Sequence, residues 1–141
     1  YYTCNTIFRK EVAMLRFNLD FSSPLPIYQQ VIYLIKLEII SGRLNDGDQL
    51  PPIRELAKIL KLNPNTVAKA YYALEEEGFV TSKRGSGNWV SYKKGKLDSL
   101  RQGMVEDEFR SFVERAFSLG AGLEDIKNLI KRYEGNEPRN R

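Results

Sequence analysis

The side chains of this chain best suited to surface chemistry are amides, hydroxyls and cations set at helix starts and at one turn. Asn65, Thr66 and Lys69 follow Asn63-Pro64. Pro64 suits the first turn of a helix, where its missing N–H removes no intrahelical bond, and Asn63 before it can cap orphan donors. Short polar side chains at the entering end of a helix, with Tyr72 one turn further on, offer what base edges in a major groove demand: donors and acceptors in fixed register. Free N–H groups at that helix start are expected to favour phosphate as well. Arg54 follows Pro51-Pro52 at the opening of another helix. A guanidinium there can donate to guanine O6 and N7 together. Lys83 and Arg84 stand at a glycine-flanked turn, where Gly85 and Gly87 allow the backbone to approach a partner and the cations to meet phosphate or the minor groove. Each feature alone has a plainer reading as a solvated face or a solvated turn. Taken together they favour DNA. Glu75, Glu76 and Glu77 fall at the far end of the same helix as Asn65, and their repulsion of phosphate marks the end that faces away.

Catalysis finds no comparable constellation. The chain has no histidine, and the three consecutive glutamates fan out around a helix instead of converging. A single cysteine, Cys4, excludes an internal disulfide framework and a cysteine-based zinc cluster. No catalytic residue, metal site or cofactor is expected, so the chain is read as not an enzyme. Twenty-two basic residues against 18 acidic ones give a net charge of +4, a mild bias that agrees with a polyanionic partner without requiring one. At 42% hydrophobic residues a packed core is expected. No apolar run approaches the roughly 18 residues of a membrane span, so no membrane partner is expected, and a reducing cytoplasm is the simplest compartment.

The elements that must position these residues follow from apolar spacing. Leu15 to Phe21 alternates weakly and suggests a short strand or extended arm. Pro26 opens a helix in which Ile27, Val31, Leu34, Ile35, Glu38 and Ile39 share a face, apolar but for Glu38, and Gly42 stops it. Pro51-Pro52 opens a second helix with Ile53, Leu56, Ala57 and Leu60 inward. A third starts at Asn63 and turns Val67, Ala70, Tyr71 and Leu74 toward the other two. Phe79 to Thr81 and Asn88 to Tyr92 read as strands joined by a hairpin. Helix, helix, turn, helix, strand, hairpin, strand is the order of a winged helix-turn-helix. A longer helix from Leu97 to Leu119, a break at Gly120-Ala121-Gly122 and a short last helix complete the chain.

The stretch from Pro24 to Val90, with "PIY", "SGRLNDGDQLP", "IRELAKIL", "NPNTVAKAY", "LEEEGFV" and "RGSGNWV" in that order, resembles the DNA-binding domain of the GntR family of bacterial transcription regulators. The resemblance implies that Arg54 reads a base, that Asn65, Thr66 and Lys69 meet bases and phosphates, and that Gly85 and Gly87 form the wing tip. Pro52 stands where many members have serine, and Pro64 and Ala68 where many have arginine. "NPNT" and the short stretch after the wing are similar to the YtrA-like branch, whose members carry two short helices in place of a large effector domain and are often linked to transporter operons. The implied function is a dimeric regulator, usually a repressor, of double-stranded operator DNA. The rival reading is a winged helix used only for protein contacts, against which the basic wing and Arg54 argue.

The expected organisation is an N-terminal extension or cloning-derived segment over 1–14, with no secretory layout, then a winged helix-turn-helix over 15–92 and a linker over 93–96. A helical dimerisation element over 97–134 and a frayed tail over 135–141 follow. The fold class is α+β and mostly helical. Leu100, Met104, Phe109, Phe112, Phe117, Ile126 and Ile130 are the expected dimer contacts, because two helices packed on each other leave an apolar stripe wet. Any small-molecule effector is expected between subunits or against the DNA-binding domain, since these helices are too short to enclose a large pocket.

Overall fold

A computed structural model of the chain describes residues 19–134. The expected extension, most of the expected arm and the tail lie outside the described residues. The described end of that arm is not a strand. Asp20 instead opens a turn, its carboxylate accepting from the backbone N–H and hydroxyl of Ser22 at 3.0 and 2.6 Å. These bonds to Ser22 hold the Asp20 carboxyl below its ordinary pKa.

The described elements run α1 (Ile27–Ile40), α2 (Ile53–Leu60), α3 (Pro64–Glu76), β1 (Val80–Lys83), β2 (Gly87–Val90), α4 (Lys96–Ser118) and α5 (Leu123–Tyr133). They fall into two compact units, the first ending at Leu97 and the second starting at Asp98.

In the first unit α1 buries Val31, Leu34, Ile35 and Ile39 at spacings of three and four, and α3 packs on both α1 and α2. Two polar side chains share the inner face of α1, and both are satisfied. Glu38 is only 2% exposed, yet each of its carboxylate oxygens accepts from Arg43, at 2.8 and 2.9 Å. A buried carboxylate gripped by a guanidinium fork avoids the large cost of an unpaired buried charge. Gln30 takes the backbone N–H of Asp20 and donates to the carbonyls of Asp20 and Leu25, pinning the entering chain to α1.

α2 buries Leu56, Ala57 and Leu60 and ends at Lys61, a non-glycine residue with φ of 54°. α3 buries Val67, Ala70, Tyr71 and Leu74, all four expected from spacing. The Tyr71 hydroxyl donates to the Pro51 carbonyl at 2.7 Å, joining the middle of α3 to the loop that leads into α2. Gly78, at φ +82°, turns the chain out of α3 into the sheet.

β1 and β2 pair antiparallel, Val80 opposite Val90 and Lys83 opposite Gly87. The loop before α2 adds a partial third edge. Gln49 bridges Trp89, Leu50 N–H donates to Asn88 and Val90 N–H donates to Asp48. Turn-rich composition hid this pairing, because backbone bonds need no particular side chains.

In the second unit α4 has no buried residue and α5 has one, Ile126. Gly120, at φ +89°, ends the first helix, and Asp125 accepts from the Gly122 N–H at 2.7 Å to start the second. No helix among the described residues is long and apolar enough to cross a membrane.

Candidate nucleic-acid interface

The site begins with the start of α3. Asn63 caps the helix, its side chain accepting from the Asn65 N–H at 2.8 Å. Thr66 and Val67 donate their N–H groups to the Asn63 carbonyl, and Pro64 has none. The free N–H groups expected here for phosphate are therefore all engaged. A capping amide followed by a proline uses up the donors that an uncapped helix start would present. Any contact from this end comes through side chains. Asn65 is exposed, Thr66 half-buried, and Lys69 and Tyr72 exposed, with Tyr72 65% accessible.

Arg54 projects from the first turn of α2, exposed and outside any salt bridge among the described residues. Because α2 packs on α3 through their buried faces, Arg54 and Asn65 stand on first turns of two helices held in one frame. The buried Tyr71–Pro51 hydrogen bond ties that frame at the foot of α2.

Lys69 is not a loose surface lysine. Its ammonium lies 4.0 Å from the centre of the Tyr28 ring on α1. Lys83 is held in the same manner. It is the last residue of β1, paired with Gly87, and its ammonium lies 5.3 Å from the Trp89 ring. Sequence spacing places Lys83 in the glycine-flanked turn, but the register puts it in the strand beside the chain's one tryptophan. Arg84 remains on the tip with Gly85, and Ser86 N–H closes the turn on the Lys83 carbonyl at 2.9 Å. Gly85 and Gly87 take φ of +77° and +104°, conformations that suit glycine. Gln49 braces the tip by donating to the Ser86 carbonyl.

The acidic end is equally fixed. Glu77 pairs with Lys36 of α1 at 2.6 Å. The Lys96 ammonium donates to the Glu77 carbonyl and lies 4.8 Å from the Phe79 ring, so a cation satisfies the carbonyl end of α3. The cations at the acidic end of α3, Lys36 and Lys96, are thus engaged by Glu77, whereas Lys69 and Lys83 rest on aromatic rings.

The expected dimer residues form a separate group. Phe109, Phe112 and Phe117 are exposed, as is Ile130, while Leu100 and Met104 are half-buried. Ile126 is buried within the chain itself. Phe109, Phe112, Leu129, Ile130 and Tyr133 line an open apolar groove of about 360 Å³ with Ile126 at its floor. Sequence reasoning gave no role to Tyr28, Trp89 or Lys96. The signal for Tyr28 was present in "PIY" at the mouth of α1, but nothing local links it to Lys69.

Among known proteins, the model of the family described as bacterial regulatory proteins, gntR family, matches residues 27–90. The HTH-type transcriptional repressor YtrA of Bacillus subtilis is 38% identical over 119 residues, covering 84% of this chain and 92% of the repressor. A GntR family transcriptional regulator from Listeria monocytogenes superposes with a TM-score of 0.67 at 32% identity, covering 81% of this chain and 100% of that one. A transcriptional regulator from Oenococcus oeni gives 0.64 at 29%, covering 82% and 97%.

Proposed function

The chain belongs to the GntR family of bacterial regulatory proteins, a winged helix-turn-helix fold followed by two helices, and from that premise we propose that it is a transcriptional repressor binding double-stranded operator DNA as a two-fold dimer. The observation that carries the DNA reading is the shared frame of α2 and α3. It holds the exposed Arg54 on the first turn of one helix and Asn65 on the first turn of the other, with the acidic residues of α3 at its opposite end. In the proposed complex the start of α3 enters the major groove. Arg54 and Asn65 read base edges, Thr66, Lys69 and Tyr72 support them, and the wing reaches phosphate or the minor groove with Lys83, Arg84, Gly85 and Gly87. Repression is carried over from the name of the Bacillus subtilis relative. A cytoplasmic location follows from this role.

The dimer reading rests on apolar surface. Phe109, Phe112, Leu129, Ile130 and Tyr133 are each between 41% and 59% exposed around one groove. Exposed patches of this kind mark interfaces, and a second copy can cover both in an isologous arrangement. Two wings related by a two-fold axis read a palindrome with half-sites about one helical turn apart. An effector, if one acts, is proposed to bind between subunits or on the first unit.

The test is selection of bound duplexes from a random pool by the full chain, followed by titration of the recovered sequence. A palindrome bound at least about a thousandfold more tightly than mixed DNA is expected, at the lower end of the roughly 10³–10⁷ range by which specific exceeds non-specific binding. Equal affinity for every duplex would sink operator recognition, and no binding at moderate salt would favour a protein-contact module.

A further inference from the structure

Lys69 projects from α3 on a flexible four-carbon stem, yet its ammonium is centred over an aromatic ring supplied by a different helix. We propose that Tyr28 is a positioning residue for DNA contact, its ring holding the Lys69 ammonium in place at the surface of α3 before DNA arrives. The inference rests on the DNA-binding reading and assigns a role to a side chain on α1 that the recognition surface does not otherwise include.

Three observations carry it. The distance of 4.0 Å from ammonium to ring centre is well inside the 6 Å limit of cation–π attraction. Tyr28 is itself fixed, as the second residue of α1, half-buried, with its hydroxyl accepting from Gln29 Nε2 at 3.2 Å. α1 packs directly on α3, so ring and lysine belong to one rigid frame. The ring covers one side of the ammonium only. An ammonium has three donors, and those turned from the ring stay available to a phosphate oxygen or a base. Restricting the stem in advance lowers the ordering cost that a free lysine meets on contact.

The experiment titrates the selected operator with wild type, Tyr28→Phe, Tyr28→Leu, Lys69→Ala and the Tyr28→Leu/Lys69→Ala double variant across a salt series, with melting curves confirming that each is folded. Lys69→Ala should reduce the salt slope by about one unit. Tyr28→Leu keeps the charge, so it should weaken binding roughly two- to fivefold at an unchanged slope. Tyr28→Phe keeps the ring and loses only the exposed Gln29 bond, so it should stay closer to wild type than Tyr28→Leu does. The double variant should bind no more weakly than Lys69→Ala alone. Additive losses would mean that Tyr28 acts independently of Lys69 and would overturn the proposal, as would full affinity in Tyr28→Leu. An unchanged slope in Lys69→Ala would overturn it too, because the ring would then be holding the lysine off the DNA. A wild type that binds no duplex defeats the DNA reading itself, and is seen before any variant is compared. If Tyr28→Leu does not fold, nuclear magnetic resonance of the wild type decides. The Lys69 ε-methylene protons should be shifted upfield by the ring current, and ordinary shifts would overturn the proposal.

Discussion

Replacing Tyr71 by phenylalanine isolates one bond in the frame that carries the candidate interface. Tyr71 is 2% exposed, and its hydroxyl donates to the Pro51 carbonyl at 2.7 Å. Phenylalanine keeps the ring, so no cavity opens, but Pro51 loses its donor inside the fold. Leaving a buried acceptor unpaired costs about 1–3 kcal/mol, and that is the expected loss at pH 7. The hydroxyl adds a pH dependence of known sign. Burial, assisted by the Glu55 carboxylate, pushes the Tyr71 pKa well above its ordinary value. In the unfolded chain a tyrosine loses its proton near pH 10, while folded Tyr71 keeps it. The contribution is therefore fully present below about pH 10 and lost as pH rises beyond it. By pH 11 the wild type gives up roughly 1.4 kcal/mol through this group, and Tyr71→Phe gives up nothing through it. Urea denaturation followed by circular dichroism between pH 7 and 11 should show the gap between the two proteins narrowing by that amount. Equal stability at pH 7, or a gap that stays constant into alkali, would refute the reasoning.

Arg54→Ala should cost roughly 1–3 kcal/mol on the selected operator and little on random duplex, measured by competition titration, whereas equal weakening on both would reduce Arg54 to a phosphate contact. Arg84→Ala and Lys83→Ala should each lower the salt slope of binding by about one unit. Operator binding should also change the emission of Trp89, since Lys83 lies over its ring, and unaltered emission together with an unaltered slope would keep the wing off the DNA. Gly78→Ala should destabilise by more than about 1 kcal/mol in thermal melts, because φ is +82° and the added methyl would meet the Lys96 ammonium that satisfies the end of α3. Sedimentation equilibrium should give a dimer for the full chain and a monomer for a version ending at Leu97, which keeps Lys96 with the first unit. A monomeric full chain at micromolar concentration would sink the dimer.

The helices and the wing were legible because each is a local pattern. Val67, Ala70, Tyr71 and Leu74 announce a buried face by spacing alone, and Asn63-Pro64 announces where that helix starts. Spacing says which face is buried, but it does not say what lies across from it. For that reason Glu38 looked like a blemish on an apolar face until Arg43, past the helix stop, was seen to hold both of its oxygens. The edge added by Gln49 and Leu50 was invisible for a related reason, since its bonds are made by backbone from a loop. The candidate interface was legible as residue types and illegible as geometry. A lysine's ammonium sits at the end of a long stem, so sequence position fixes the Cα and leaves the charge undefined over several ångströms. In this fold two such charges are defined by rings from other elements, Lys69 by Tyr28 and Lys83 by Trp89. With the N–H groups at the start of α3 already used by Asn63, the side chains around that helix must supply the contacts. Fixing two of the cations on aromatic faces is a way for them to do so without the full ordering cost of free lysines.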